Sequence, residues 1–422
     1  MKISIIGCGY VGTVTGVCFA DLGHNIVFCD IDEKKLDLLS HGKAPIYEHS
    51  LDDLIQRNRE RLAATSDLAA AVRDTDITFI CVGTPSGDDG SIDLTYVLSA
   101  GATIGKTLQE TPDFHPVIVK STVFPGSTEG PVRTVLEEAS GKQAFVDFGL
   151  GSNPEFLREG NAIQDFRESD RIILGAGDER TMQVLRDIYA SFTCPKIETS
   201  IRTAEMIKYT SNAFLATKIS FANEIGNLAK RLGIDSQEVF AGVGLDSRIG
   251  PAFFRTGIGF GGSCFPKDVR ALIAGAGDYG EHLQIIPAAL RVNESQPLKL
   301  VRLLQTHIPD LKGRRIGILG LAFKPNTDDV RESRAIPIIR ALLDAGAGVV
   351  AYDPLAKENF AALFPEIEYA PSAQATLASD AVLITTEWQE FEQLDYSGKT
   401  VIDGRRIVAA SRTAGVYEGV CW

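Results

Sequence analysis

The chain of 422 residues has seven cysteines but no Cys-x-x-Cys pair and no cysteine–histidine spacing of the kind zinc sites use. Neither a structural metal nor a disulfide framework is expected, and no residue is assigned to a metal. A basic excess is also missing: 42 lysines and arginines stand against 55 aspartates and glutamates, a net charge of −13. That balance argues against nonspecific binding to nucleic acid or to an anionic membrane, and any phosphate must be met by local groups. No apolar run reaches membrane-spanning length, and the opening MKISIIGCGYVG lacks the apolar core and cleavage site of a signal peptide. A cytoplasmic location is the expectation. What is present is ordinary for a folded chain: 44% hydrophobic and 23% charged residues, in a length that suits two or three domains.

Two stretches follow one plan. Residues 2–30 read strand (KISIIG), glycine turn, helix (TVTGVCFADLG), strand (NIVFCD); residues 314–353 read strand (RRIGILG), loop, helix (AIPIIRALLDAG), strand (GVVAYD). Each is a strand–helix–strand unit closed by an aspartate. Apolar strands at 77–83, 116–122 and 381–386 extend both, as parallel sheets covered on two faces require. Between them, residues 203–232 hold no proline and one glycine, with apolar residues at helical spacing. A helix of that length spans roughly 45 Å, enough to join two domains and to meet a second subunit; a break near Gly226 is the alternative. The expected fold is α/β, with two doubly wound Rossmann-like domains joined by a long central helix. The domain limits expected are 1–200, 201–300 and 301–422.

Gly7, Gly9 and Gly12 form GxGxxG straight after the first strand, around Tyr10 and Val11, and Asp30 ends the next strand. In that context the glycines admit a pyrophosphate at a helix N-terminus, and the carboxylate takes ribose hydroxyls. Asp30 would repel a 2′-phosphate, so NAD is expected over NADP, with Lys35 tempering this only slightly. The second unit lacks that glycine spacing and carries Lys324 and Arg331 in its loop, which suit either a second phosphorylated ligand or a solvated charged loop. Three pairs recur four residues apart: Glu155 with Glu159, Lys208 with Asn212, and Cys264 with Asp268. On helical turns each would share a face. Cys264 lies in GGSCFPKD, beside Lys267. A nicotinamide enzyme needs no nucleophile to make an aldehyde, but oxidation onward to an acid needs a thiolate or its equivalent at the aldehyde carbon. A helix N-terminus and Lys267 would lower the thiol's pKa; a buried inert cysteine is the alternative.

The segments MKISIIGCGYVG, CVGTPSGDDGSIDL, KSTVFPGST, GSNPEFLREGNAIQDF, AEMIKYTSNAFLATKISFANEIGNLAK, GVGLDSRIG, GFGGSCFPKD and GLAFKPNTDDVRESRA together resemble the UDP-glucose/GDP-mannose dehydrogenase family, in order and over nearly the whole chain. The resemblance implies NAD-dependent oxidation of a nucleotide-linked hexose at C6 to the carboxylate. It further implies an N-terminal NAD-binding domain, a central dimerising helix and a C-terminal sugar-nucleotide domain, in a homodimer or higher oligomer. It makes Cys264 the nucleophile, with Asp268, Lys208 and Asn212 handling protons and the oxyanion. Glu159 and Thr122 fall near the reacting carbon and the nicotinamide, and Glu155 at thioester hydrolysis or substrate positioning. Thr84, Lys267 and Arg331 match cofactor contacts. Lys324, Arg405 and the Gly261 loop match substrate contacts, and Arg248 matches an arginine reaching a neighbouring subunit's substrate. Phe253 and Phe254 also match substrate contacts and stand where many relatives have a tyrosine, so a phenolic hydrogen bond to substrate is not expected from them. The terminal GVCW and the run VDFGLGSNPEFLRE resemble the GDP-mannose branch, whereas SNAFLATKIS, GLDSRIG, DRIILG and VIDGRR are UDP-glucose forms, so UDP-glucose is the expected substrate and GDP-mannose the alternative. A non-catalytic sugar-nucleotide binder is the other class of reading, and the intact Cys264, Lys208, Asn212 and Asp268 speak against it.

Overall fold

The computed structural model describes residues 1–422, which divide into two compact units, Met1–Ser211 and Asn212–Trp422. The first is built on eight strands: β1 (Lys2–Ile6), β2 (Asn25–Cys29), β3 (Leu62–Thr65), β4 (Ile77–Ile80), β5 (Pro116–Val119), β6 (Gly149–Ser152), β7 (Ile172–Ala176) and β8 (Lys196–Thr199). They lie in the order β3-β2-β1-β4-β5-β6-β7-β8, parallel except where β6 meets β7. The central strands KISII, ITFI and PVIV are apolar and almost wholly buried, because helices cover both faces. Alternate residues feed two separate cores. Ile3, Ile5, Phe79 and Ile118 pack with Phe19 and Phe28, while Ile6, Ile80, Val117 and Val119 pack on the other face with Val97 and Ile104.

The second unit holds β9 (Arg315–Leu319), β10 (Gly348–Tyr352), β11 (Glu368–Tyr369), β12 (Ala381–Ile384), β13 (Thr400–Asp403) and β14 (Val416–Gly419). Their order, β11-β10-β9-β12-β13-β14, repeats that of the first six strands, and every pair is parallel. The repeat read from the two strand–helix–strand units is therefore a repeat of whole sheets. In each, the chain reverses direction of winding between the first and fourth strands, where ligands of such sheets bind.

One unbroken helix, Ile201–Arg231, links the two sheets along the chain. Gly226 does not break it. A Cβ at Gly226 would stand 2.9 Å from Thr256 Cγ2 and 3.0 Å from Cys421 Cβ, so the glycine serves close packing. The buried Cys421 accepts from Gln296 Nε2 at 3.3 Å, and Lys230 Nζ donates to the Trp422 carbonyl at 2.9 Å. The terminal Cys-Trp thus packs against the helix. Along the helix Phe214, Phe221 and Leu228 recur every seven residues, 63%, 50% and 54% exposed.

Candidate active site

After β1 the chain turns sharply at Gly7, whose φ of +100° is open to glycine. A helix, Tyr10–Asp21, follows. A Cβ at Gly12 would lie 1.9 Å from the Gly7 carbonyl oxygen, so helix and turn touch; at Gly9 a Cβ would meet nothing within 4 Å. Gly7 and Gly12 are thus required by the protein's own packing, and Gly9 keeps clear the space beside the helix N-terminus. Asp30 accepts from Cys8 N at 2.5 Å and Asp32 N at 2.9 Å, with Lys35 Nζ 4.0 Å away. This open cradle with a carboxylate at the next strand end fits a dinucleotide. Val11 is half-buried on the first helical turn. Ile31, 91% exposed beside Asp30, offers an apolar face that the sequence reading did not single out.

Asp353, the counterpart of Asp30, is spent otherwise. It is buried and accepts from Leu321 N, Ala322 N, Leu355 N, Ala356 N and Trp388 Nε1, between 2.7 and 3.0 Å. Its carboxylate folds the loop after β9 and has nothing left for a ribose.

Tyr10 holds protein. Its hydroxyl donates to the Glu48 carboxylate, and Gly160 N donates to both, at 2.8 and 2.7 Å. Burial, then Glu48, raises the phenol well above its usual range. Glu48, a residue no motif marks, also accepts from Ala162 N at 2.9 Å, so this pair anchors the segment that follows Glu155 and Glu159. That segment overturns one expectation. Residues 153–158 form neither helix nor strand, and Glu159 opens a turn, so Glu155 and Glu159 do not share a helical face.

Elsewhere in the first unit, Thr84 Oγ1 donates to the Thr122 carbonyl at 2.9 Å, joining the loops after β4 and β5. Glu155 is buried and clasped by Lys208 Nζ, which donates to its carbonyl at 2.7 Å and to Oε1 at 3.0 Å; Leu157 N donates to Oε2 at 2.6 Å. Burial alone would raise this carboxyl, but Lys208 and the hydrogen bonds outweigh it and hold Glu155 below the usual range.

In the second unit Cys264 is exposed and caps the helix Phe265–Asp278, with Pro266 in its first turn. Asp268 N donates to the Cys264 carbonyl at 2.8 Å, which puts this pair on one helical turn. The Asp268 carboxylate is 1% exposed; it accepts from Asn212 Nδ2 at 2.6 Å and from Lys267 Nζ at 2.7 Å. Lys267, expected beside the thiol, is therefore paired with Asp268. The loop before Cys264 is pressed against residues 331–332: Gly262 N donates to the Arg331 carbonyl at 2.9 Å, and a Cβ at Gly261 would strike the Glu332 carbonyl at 2.2 Å. Arg270, on the helix that Cys264 caps, donates to Glu332 Oε1 at 2.8 Å.

The arginines and lysines expected at a substrate have separate settings. Arg405 donates to the Thr385 carbonyl at 2.9 Å and lies 3.4 Å from Glu387 Oε2. Its loop is organised by the buried Asp403, which accepts from Arg405 N, Arg406 N and Ile407 N and is pushed up to about 6 by burial despite those bonds. Lys324 Nζ lies 5.6 Å from the Phe323 ring centroid. Arg331 is paired with Asp329 at 2.7 Å, and Arg248, with 86% of its side chain exposed, with Asp246 at 2.6 Å. Phe253 has φ +67° and lies 6.2 Å from Phe265, centroid to centroid. Phe254 is buried and stacked 4.9 Å from Phe240, so its ring is taken up in packing.

Residues 1–193 match the NAD binding domain of the UDP-glucose/GDP-mannose dehydrogenase family, 202–295 its central domain and 317–410 its UDP binding domain. The UDP-glucose 6-dehydrogenase AglM of Haloferax volcanii is 50% identical, with all of both chains covered. The GDP-mannose 6-dehydrogenase of Pseudomonas aeruginosa is 38% identical over the same full coverage. The solved UDP-glucose dehydrogenase of Pyrobaculum islandicum superposes with a TM-score of 0.96 at 48% identity, covering 100% of this chain and 98% of that one. A dinucleotide cradle, a helix-capping cysteine and these full-length likenesses agree: the chain belongs to the UDP-glucose/GDP-mannose dehydrogenase family.

Proposed function

We propose that the protein oxidises UDP-glucose at C6 to UDP-glucuronate in two successive steps at one cysteine. Gly7, Gly9, Gly12 and Asp30 would hold NAD, which when bound would supply the hydride acceptor for each oxidation. In the first, the C6 alcohol gives up its hydroxyl proton as the carbonyl forms. The Cys264 thiolate then adds to the aldehyde carbon, giving a thiohemiacetal whose loss of hydride leaves a thioester; water cleaves the thioester to the acid and returns the thiol. Asp268, oriented by Asn212, accepts and returns protons. Lys208 stabilises oxygen charge as it develops, and Glu155 fixes Lys208 and acts in the hydrolysis. Thr84, Thr122, Glu159, Lys267 and Arg331 serve the cofactor's neighbourhood, and Lys324, Arg405 and the Gly261 loop the nucleotide sugar.

The observation that carries this reading is the exposed Cys264 at a helix N-terminus, one turn before a buried aspartate bonded to an amide. UDP-glucose is favoured over GDP-mannose by 50% against 38% identity to curated relatives of each kind. The GVCW end does not favour the other sugar, since Cys421 and Trp422 are engaged in packing on the long helix.

The functional unit is a homodimer or a multiple of it, formed on the exposed stripe Phe214, Phe221 and Leu228. Arg248 reaches the substrate of the neighbouring subunit. No helix is long and apolar enough to cross a membrane, and a cytoplasmic site of action is consistent with that.

Incubation with NAD and either sugar nucleotide, following NADH, tests the reading. It predicts two NADH per UDP-glucose with little free aldehyde. One NADH per sugar, or turnover confined to GDP-mannose, overturns it.

A further inference from the structure

Lys120 follows β5, two residues before Thr122, and is 4% exposed. A lysine so deeply buried ordinarily meets a carboxylate, because an ammonium removed from water is costly unless it is paired. The hydrogen bonds of Lys120 Nζ go instead to neutral oxygens of one residue, the Asn153 carbonyl at 3.3 Å and Asn153 Oδ1 at 2.8 Å. Asn153 is held on every side. Its N donates to the Val119 carbonyl at 3.0 Å, its Nδ2 to the Ile173 carbonyl at 2.8 Å, and its Oδ1 also accepts from the buried Tyr189 hydroxyl at 2.5 Å. After Pro154 comes Glu155, whose carbonyl and carboxylate are both clasped by Lys208.

A continuous line of contacts therefore runs from the end of β5, through the strand end beyond β6, to the long helix. The charged and titratable groups that face the Lys120 ammonium are Glu155, Lys208 and the Cys81 thiol; burial pushes it down to about 8, Lys208 adds to the fall, and Cys81 and Glu155 oppose it. Two buried ammonium groups thus attend one buried carboxylate. Packing alone would be served by an uncharged side chain of similar length, and a net positive charge kept in the dry interior behind Glu155 calls for another purpose.

We infer that Lys120 is a positioning residue of the reaction: it grips Asn153, so aiming Glu155, and its charge backs the Glu155–Lys208 pair from behind. The inference rests on the proposed roles of Glu155 and Lys208. Removing the charge makes Glu155 a weaker acid, because a stabilising cation is lost. The acid limb of the kcat profile against pH, where Lys120 is charged in the wild type, then moves upward. A side chain that served packing alone would leave it where it is.

The test compares wild type, Lys120→Met and Asn153→Ala with NAD and UDP-glucose from pH 5.5 to 10, with folding checked by circular dichroism. For Lys120→Met the expected result is a fall in kcat of at least about tenfold, a KM for NAD within about twofold of wild type, and the acid limb displaced upward. Asn153→Ala loses the grip and keeps the charge through the acid range, so kcat falls while the acid limb stays. Should Lys120→Met fail to fold, Lys120→Gln, which retains a donor for Asn153 Oδ1, takes its place with the same expected limb shift. An unmoved acid limb in a folded Lys120 variant, or an undiminished kcat, overturns the inference. A wild-type protein inactive on UDP-glucose overturns the proposed function instead.

Discussion

Alanine at Gly9 and alanine at Gly12 are the same chemical change three residues apart, and the structure assigns them opposite consequences. Gly9 has φ −77° and ψ −165°, a region open to any residue, and its added Cβ meets nothing within 4 Å. Stability should change by no more than about 0.5 kcal/mol, or rise slightly as the unfolded chain loses freedom. The methyl group, however, fills the space a pyrophosphate needs if it is to accept backbone N–H bonds at about 3 Å. Each charge-assisted bond lost is worth roughly 1.5–3 kcal/mol, so the Kd for NAD should rise about tenfold to a hundredfold. At Gly12 the new Cβ lies 1.9 Å from the Gly7 oxygen and 3.1 Å from Cys81 Cβ, and backbone must move. Overpacking of that kind costs about 1–3 kcal/mol, several degrees in the unfolding midpoint of the first unit. Calorimetric titration with NAD and thermal unfolding, run on both variants, separate the two effects. A Gly9→Ala protein that binds NAD within twofold of wild type would refute the placement of the pyrophosphate.

Three further outcomes are expected. Asp30→Ala should narrow the preference for NAD over NADP in kcat/KM, and a wild type indifferent between the two would contradict the role of Asp30. Glu205, buried on the long helix, accepts from Gly126 N at 2.6 Å and Thr128 N at 3.1 Å, and burial pushes it up to about 7. Because the folded form keeps a proton the unfolded form has lost, this group's stability contribution is full below pH 4.5 and declines as pH rises toward 7, by roughly 3 kcal/mol in all. Urea unfolding of Glu205→Gln should lack that decline; parallel pH dependences in variant and wild type would contradict it. Phe221→Asp with Leu228→Asp should sediment as a monomer, and co-expression of Arg248→Ala with Cys264→Ala should restore activity that neither has alone. Confirmed hybrids without activity would remove Arg248 from the neighbour's site.

The architecture was legible because its signals are local. Buried parallel strands are runs of Ile, Val and Phe, the glycine turn follows the first, and the long helix is proline-free. Gly226 looked like a breaking point because a sequence does not say what approaches it; Thr256 and Cys421 do. Asp30 and Asp353 looked equivalent, and only the count of hydrogen bonds on Asp353 separates a ribose acceptor from a loop organiser. Spacing by four also proved ambiguous. It placed Cys264 and Asp268 on one helical turn, but the same spacing at Glu155 and Glu159 falls on chain outside any helix. Glu48, Lys120 and Asp403 escaped notice because their partners are backbone groups or distant side chains, which no motif encodes.

The most direct test of the account is the state of Cys264 during turnover. Glu155→Gln, mixed with NAD and UDP-glucose, quenched in acid and digested, should yield the peptide bearing Cys264 with one UDP-glucuronyl group attached as a thioester, removable by hydroxylamine and absent from Cys264→Ser. UDP-glucuronate formed by Cys264→Ser at close to the wild-type rate, with no adduct on any variant, would contradict it.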